Sequence, residues 1–258
     1  MEFGEQLREW RGHRRMSQLD LANEAGISAR HLSFLETGRS RPTEGMILRL
    51  SAVLDIPARD QGLMFSAAGF RPRFGTSPAR QLDSLPPVIA DAIGLILDRH
   101  DPYPGVVFDH EYTVLTANRP FAMLAGLAGI EVVPGINFLD AYLTPSPLKE
   151  MIVNWRATTA DLVHRVRGEA WLQGPRSPLS RRIERLASDP EVQAALAEFP
   201  DSARLPVLPI AMRLQDKVLS FITTLTTFGS VQDALAQGVL IESFFPADAE
   251  TKAHFEGG

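Results

Sequence analysis

Apolar residues in the first part of the chain recur at intervals of three and four. Phe3, Leu7 and Trp10 put one buried stripe on a helix running from residue 2 to about 14. Ser17 then reads as an N-cap, with Asp20 three residues on completing a capping box ahead of Leu21 and Ala22. That helix must be short, because Gly26 follows and supplies the left-handed backbone that ends a helix, with Ile27 as an apolar plug. Ser28 caps a third helix, whose Leu32 and Leu35 face inward and leave Ala29, Arg30, His31, Ser33 and Phe34 for other surfaces. Two short helices meeting at a tight glycine turn form a helix-turn-helix.

The helical period lapses at "FRPRFGTSP", residues 70–78, whose prolines and glycines mark a boundary. Beyond it, Val88, Ile89, Ala92, Ile93 and Ile96 make the apolar side of a helix from Pro87 to Leu97. Val106 to Phe108 and Tyr112 to Thr116 flank the polar turn Asp109-His110-Glu111 and predict a β-hairpin. Asn118 caps a helix burying Phe121 and Leu124, and Ser146-Pro147 opens a long one with Leu148, Met151, Ile152, Trp155, Leu162, Val163 and Val166 as one continuous stripe. Gly174-Pro175 ends it, and two further helices follow near 178–187 and from Asp189-Pro190 to Phe199. The period then changes: 207–214, 217–227 and 238–245 read as three strands, "KVLSFITTLTTF" alternating with many Thr, Ile and Phe. A hairpin, helices, then a meander describe an α+β sheet domain with a helical insertion and helices against one face.

Composition narrows this picture. With 258 residues, the chain suits a small domain and a larger one: residues 1–70, a linker over 71–85, and 86–250. Net charge is −5, and residues 1–71 hold ten arginines against nine acids, so a basic footprint must be a local cluster: Arg39 and Arg41, with Arg14, Arg15 and Arg30 nearby. The absence of cysteine excludes disulfides, thiol catalysis and thiolate zinc sites. The chain opens on a charged, helix-like segment, and no apolar run approaches the ~20 residues that span a bilayer, so a cytoplasmic location is expected. His100, His110, His164 and His254 are widely separated, and there is no G-x-S-x-G, P-loop or metal-ligand spacing. Neither catalysis nor a cofactor or metal is expected.

The run Ser17-Gln18, Leu21-Ala22, Gly26-Ile27-Ser28, Leu32-Ser33, Leu35-Glu36, Gly38 and Pro42 resembles the lambda-repressor-like, or XRE-type, DNA-binding domain. That family has five helices, and the sequence offers a fourth from Thr43 to about Asp55 and a fifth from Ala58 to Ala68. The resemblance implies that the helix from Ser28 enters the major groove of double-stranded DNA while the helix from Ser17 crosses the backbone. Arg30 is then the candidate for reading guanine. Gln18, Ser28, Ala29, His31, Ser33 and Phe34 are placed to contact bases or phosphate, and Arg39, Arg41 and Thr43 to anchor phosphate. Plainer readings stand beside these: Ser28 as a cap alone, His31 as a solvated residue, Phe34 as a packing residue, Arg71 and Arg73 as a solvated linker. Glu36 reads as structural, bonding backbone or an arginine.

The second half, through "PYPGVVFDHEYTVLTANRPF", "RVRGEA" and "TTFGSVQDALAQGVLIESFFPAD", is similar to the MmyB-like ligand-binding domain, a PAS-like fold. It departs at Thr116-Ala117-Asn118, where the family often has a tryptophan before the asparagine. The resemblance implies an enclosed apolar cavity, in some members able to hold a fatty acid. Phe121, Met151, Trp155, Met212 and Phe221 are the candidate lining, or else ordinary core. The function expected is a homodimeric transcriptional regulator on a pseudo-palindromic operator that senses a small apolar effector. The alternatives are a second domain serving only dimerisation or protein interaction, and an enzyme with a fused DNA-binding head.

Overall fold

The structure is a computed structural model that describes residues 2–71, 82–174, 177–200, 209–228 and 238–256. Arg73, Pro175 and positions 207–208 of the first late strand lie outside the described residues.

Five helices build the N-terminal part: α1 (Phe3–His13), α2 (Gln18–Glu24), α3 (Ala29–Glu36), α4 (Glu44–Val53) and α5 (Ala58–Ala67). Ser17, Ser28 and Thr43 each accept a backbone N–H of the first turn they precede, from Asp20, His31 and Met46. The turn between α2 and α3 passes through Gly26 at φ +64°, where a Cβ is disfavoured. Phe3, Leu7, Trp10, Leu21, Leu32, Leu35, Ile47, Leu50 and Phe65 close a single core. Glu36 is buried beside it. Its carboxylate takes Arg11 Nε at 2.6 Å, Arg11 Nη2 at 3.1 Å and Gln18 Nε2 at 2.8 Å, a partnered charge as the sequence reading required.

The second part is a five-stranded antiparallel sheet ordered β2-β1-β5-β4-β3, from β1 (Gly105–Phe108), β2 (Val114–Ala117), β3 (Ile210–Leu214), β4 (Lys217–Thr227) and β5 (Leu240–Pro246). Alternation sorts its side chains into two cores. Val106, Phe108, Leu219, Phe221, Leu240 and Phe244 face the helical insertion: α7 (Arg119–Leu127), α8 (Phe138–Leu143), α9 (Pro147–Met151), α10 (Trp155–Leu172), α11 (Pro178–Ala187) and α12 (Pro190–Glu198). Val107, Leu115 and Ile241 face α6 (Pro87–His100), which buries Ile93 and Leu97 on them. A last helix, α13 (Ala249–Glu256), packs Phe255 near Phe221.

Three sequence expectations change. The sheet has helices on both faces, because α6 covers the side left bare by the insertion. The long helix from Pro147 is two helices, since the backbone at 152–154 is diverted to the edge of β3. Ile152 bridges Met212, Val153 N–H reaches Ala211 O at 2.8 Å, and the Asn154 side chain bonds Pro209 O and Ala211 N–H. The second hairpin strand starts at Val114 and not Tyr112. The Asp109 side chain accepts the N–H groups of Glu111 and Thr113, and Tyr112 sits at φ +64°. Helices α8 and α13 had no sequence forecast.

Candidate nucleic-acid interface and cavity

On the N-terminal part, α3 buries Leu32 and Leu35 and turns Arg30 to solvent. Phe34 is half-buried and lies between two cations, Arg30 at 5.4 Å and Arg39 at 5.9 Å from its ring centre. The ring thus gathers both guanidinium groups on one side of the helix. Arg41 and Thr43 are exposed beyond them, and Ala29, His31 and Ser33 are half-buried on the same helix. Ser28 and Thr43 spend lone pairs on caps, which leaves each hydroxyl proton free to donate to a phosphate. Gln18 commits an amide N–H to Glu36, so it offers an outside partner its carbonyl and remaining N–H. Arg14, counted in the basic cluster on sequence proximity, sits elsewhere: it holds the carbonyls of Leu54 and Asp55 at 2.8 Å each and stacks 4.7 Å over the ring of Trp171.

Trp171 belongs to α10, so Arg14 marks a contact between the two parts. His13 bonds the Trp171 carbonyl, and Trp10 lies against Gly174, where a Cβ would come within 2.5 Å of the indole. A second contact joins Arg59 of α5 to His110 and Glu111 in the β1–β2 turn. Burial, helped by the charge of Arg59, pulls the His110 imidazole down to about 4. Both contacts were invisible in sequence, because neither joins residues that any local pattern relates.

The second part holds a partly open apolar cavity of about 70 Å³. Its walls are Val114 of β2, Phe121, Leu124 and Ala125 of α7, Ile130, Val132 and Ile136 of the following segment, Phe138, Ala141 and Tyr142 of α8, Leu148 of α9, Ile152, Ile210 and Met212 of β3, and Phe244 of β5. Of the sequence candidates, Phe121 and Met212 stand in the wall. Met151, Trp155 and Phe221 stand off it: Trp155 donates its indole N–H to Tyr142 O at 3.0 Å, Phe221 packs between Phe244 and Phe255, and Met151 packs on the main core. Helix α8 and the 130–136 wall were missed, although "GIEVVPGI" carries an apolar pattern between glycines that could have flagged them. The volume is far below the ~300 Å³ of a typical small-molecule site.

Among the described residues no helix is long and apolar enough to cross a membrane, and no group of three His, Asp or Glu is placed to hold a metal ion. No curated protein matches the chain. Family models do: residues 2–61 match a helix-turn-helix domain, and residues 89–256 match the MmyB-like transcription regulator ligand binding domain. The exposed Arg30 of α3 and the apolar cavity fall within these two matches, and the chain belongs to the family of DNA-binding transcription regulators with an MmyB-like ligand-binding domain.

Proposed function

We propose that this regulator binds a pseudo-palindromic operator as a homodimer and exchanges DNA affinity for occupancy of its cavity by a small, mainly apolar effector. The observation that carries the DNA half is the α3 face, where Arg30 and Arg39 flank Phe34 on a surface clear of both contacts with the second part. Arg30 reads a guanine, and Gln18, Ser28, His31 and Ser33 add contacts to bases or phosphate. Arg39, Arg41 and Thr43 anchor phosphate and set register. No catalytic step enters this reading.

Dimerisation is supported by α6. Its inner face is buried, while Val88 is 71 % and Leu95 59 % exposed, an apolar stripe that water covers in a single copy. Antiparallel pairing of two α6 helices about Leu95 sets each copy's Asp91 against the other's Arg99. Two heads are then available for two half-sites about one helical turn apart.

The cavity's small volume also favours the rival reading, in which the second part is a dimerisation module with a nearly filled core. Native mass spectrometry of gently purified protein separates them: a retained apolar compound supports the sensor, and persistent emptiness with no thermal shift across apolar ligands supports the rival. The DNA half is tested by two substitutions. Arg30→Ala is expected to cost about 1–3 kcal/mol at one base pair and relax preference there. Arg41→Ala is expected to weaken all sequences alike and lower the salt slope by about one. Unchanged affinity and salt slope for both would remove the docking scheme.

A further inference from the structure

One wall of the cavity is stitched to the turn that touches the head. Ile136, Phe138 and Val114 line the hollow. Val114 N–H donates to Ile136 O at 2.8 Å, Gly135 N–H to Val114 O at 3.0 Å, and Phe138 N–H to Tyr112 O at 2.8 Å. Asn137, between the two wall residues, serves both sides. Its Oδ1 accepts the N–H groups of Leu139 and Asp140 at the start of α8, and its Nδ2 donates to Glu111 O at 2.7 Å. Neither Ile136 nor Phe138 can shift far without carrying residues 111–114 along or breaking these bonds.

The far side of that turn is the joint with the head. Arg59 Nη1 of α5 lies 2.5 Å from His110 Nε2 and 3.8 Å from Glu111 Oε1. A guanidinium only donates, so the imidazole must present a bare nitrogen to it and stay neutral. Gln173, which ends α10, donates to His110 O at 2.8 Å and so links this joint to the Trp171 and Gly174 contacts with α1. The joint is poorly satisfied. Arg59 Nε and Gln173 Oε1 are buried with no hydrogen-bond partner among the described residues, and both regain water on opening. Tyr112, beside the joint, holds φ at +64°, a backbone that a bulky residue rarely adopts. These costs offset part of what the contact gains and leave the closed arrangement easy to displace.

We infer that the β1–β2 turn is the switch between the two parts: occupancy of the cavity displaces Ile136 and Phe138, the turn follows through Asn137 and the backbone bonds, and Arg59 is released. The head then pivots on its α1 contact with α3 unaltered, so its reading face is re-aimed and not reshaped. The inference rests on the reading of the cavity as an effector site.

Coupling is reciprocal, so it can be read from the head without any effector. The test is hydrogen–deuterium exchange of the full-length protein and two variants. Arg59→Met keeps an apolar stem and loses the guanidinium, while Asn137→Ser keeps a capping oxygen for α8 but is too short to reach Glu111 O. Arg59→Met is expected to speed exchange about fivefold or more at residues 112–114 and 135–138, with β4 unchanged. Asn137→Ser is expected to speed it likewise in α5. Acceleration confined to residues 110 and 111 in Arg59→Met, or none at all, overturns the switch, because a merely local contact behaves that way. If Arg59→Met speeds exchange throughout the chain, Asn137→Ser decides alone, and an unchanged α5 overturns the switch. None of these results needs a bound effector, so the cavity reading stands or falls separately, on the mass spectrometry of gently purified protein.

Discussion

Asp109 is buried, its neighbour His110 is half-buried, and desolvation shifts the two in opposite directions. Burial, against two backbone N–H groups, pushes the Asp109 carboxyl up to about 6, and burial beside Arg59 brings His110 down to about 4. The raised acid contributes stability that is complete below its unfolded value and lost as pH rises through about 6. The depressed imidazole contributes stability that is present above its unfolded value and lost as pH falls through about 4. Between those limits the two slopes oppose one another. In His110→Asn only the acid's slope remains. Urea denaturation is therefore expected to show the variant gaining up to about 3 kcal/mol relative to wild type as pH falls from 6.5 to 4. Parallel profiles for the two proteins would mean that His110 is not held neutral by its surroundings. Residues of this kind were not legible in the sequence: "FDHEYT" reads as a solvated polar turn, and only the arrival of Arg59 and the closure of the turn bury it. Glu36 was legible, because an acid fixed within a helix-turn-helix pattern needs a partner, and Arg11 lies one helix away.

Among the elements, those whose capping and periodicity agree were readable: α1 to α5, α6, α7, α11, α12, β4 and β5 follow from Ser, Asn or Pro starts and a stable apolar period. The break between α9 and α10 was not. Its apolar stripe is continuous, and the hydrogen bonds that interrupt it come from β3, some sixty residues on. Helix α10 ends at a contact as specific as its beginning. Gly174 adopts φ +98° and faces the Trp10 indole across a gap that admits no Cβ. Gly174→Ala is expected to separate the two parts, raising the radius of gyration in small-angle scattering while circular dichroism keeps its helical signal. If the dimensions hold, the α1–α10 contact does not govern the arrangement of head and sensor.

For the whole molecule, α+β architecture and the two functions could be read from order and motif, whereas the enclosing walls could not, since they converge from β2, β3, β5, α7, α8 and α9. The proposed pairing through α6 belongs to this scale. Leu95→Glu would place a carboxylate on the proposed two-fold beside Asp91, and sedimentation is expected to show half the wild-type mass with operator affinity reduced about a hundredfold, as two half-sites lose their linkage. A variant that stays dimeric would move the interface to another surface.

The small hollow between α7 and the sheet has a temporal consequence. On the proposed effector reading, a guest larger than this hollow would wait on movement of its walls, both on arrival and on departure. Capture would then saturate at the frequency of that movement and release would obey the same clock, so a regulator working as proposed would stay committed for a while after the free pool of its signal has vanished.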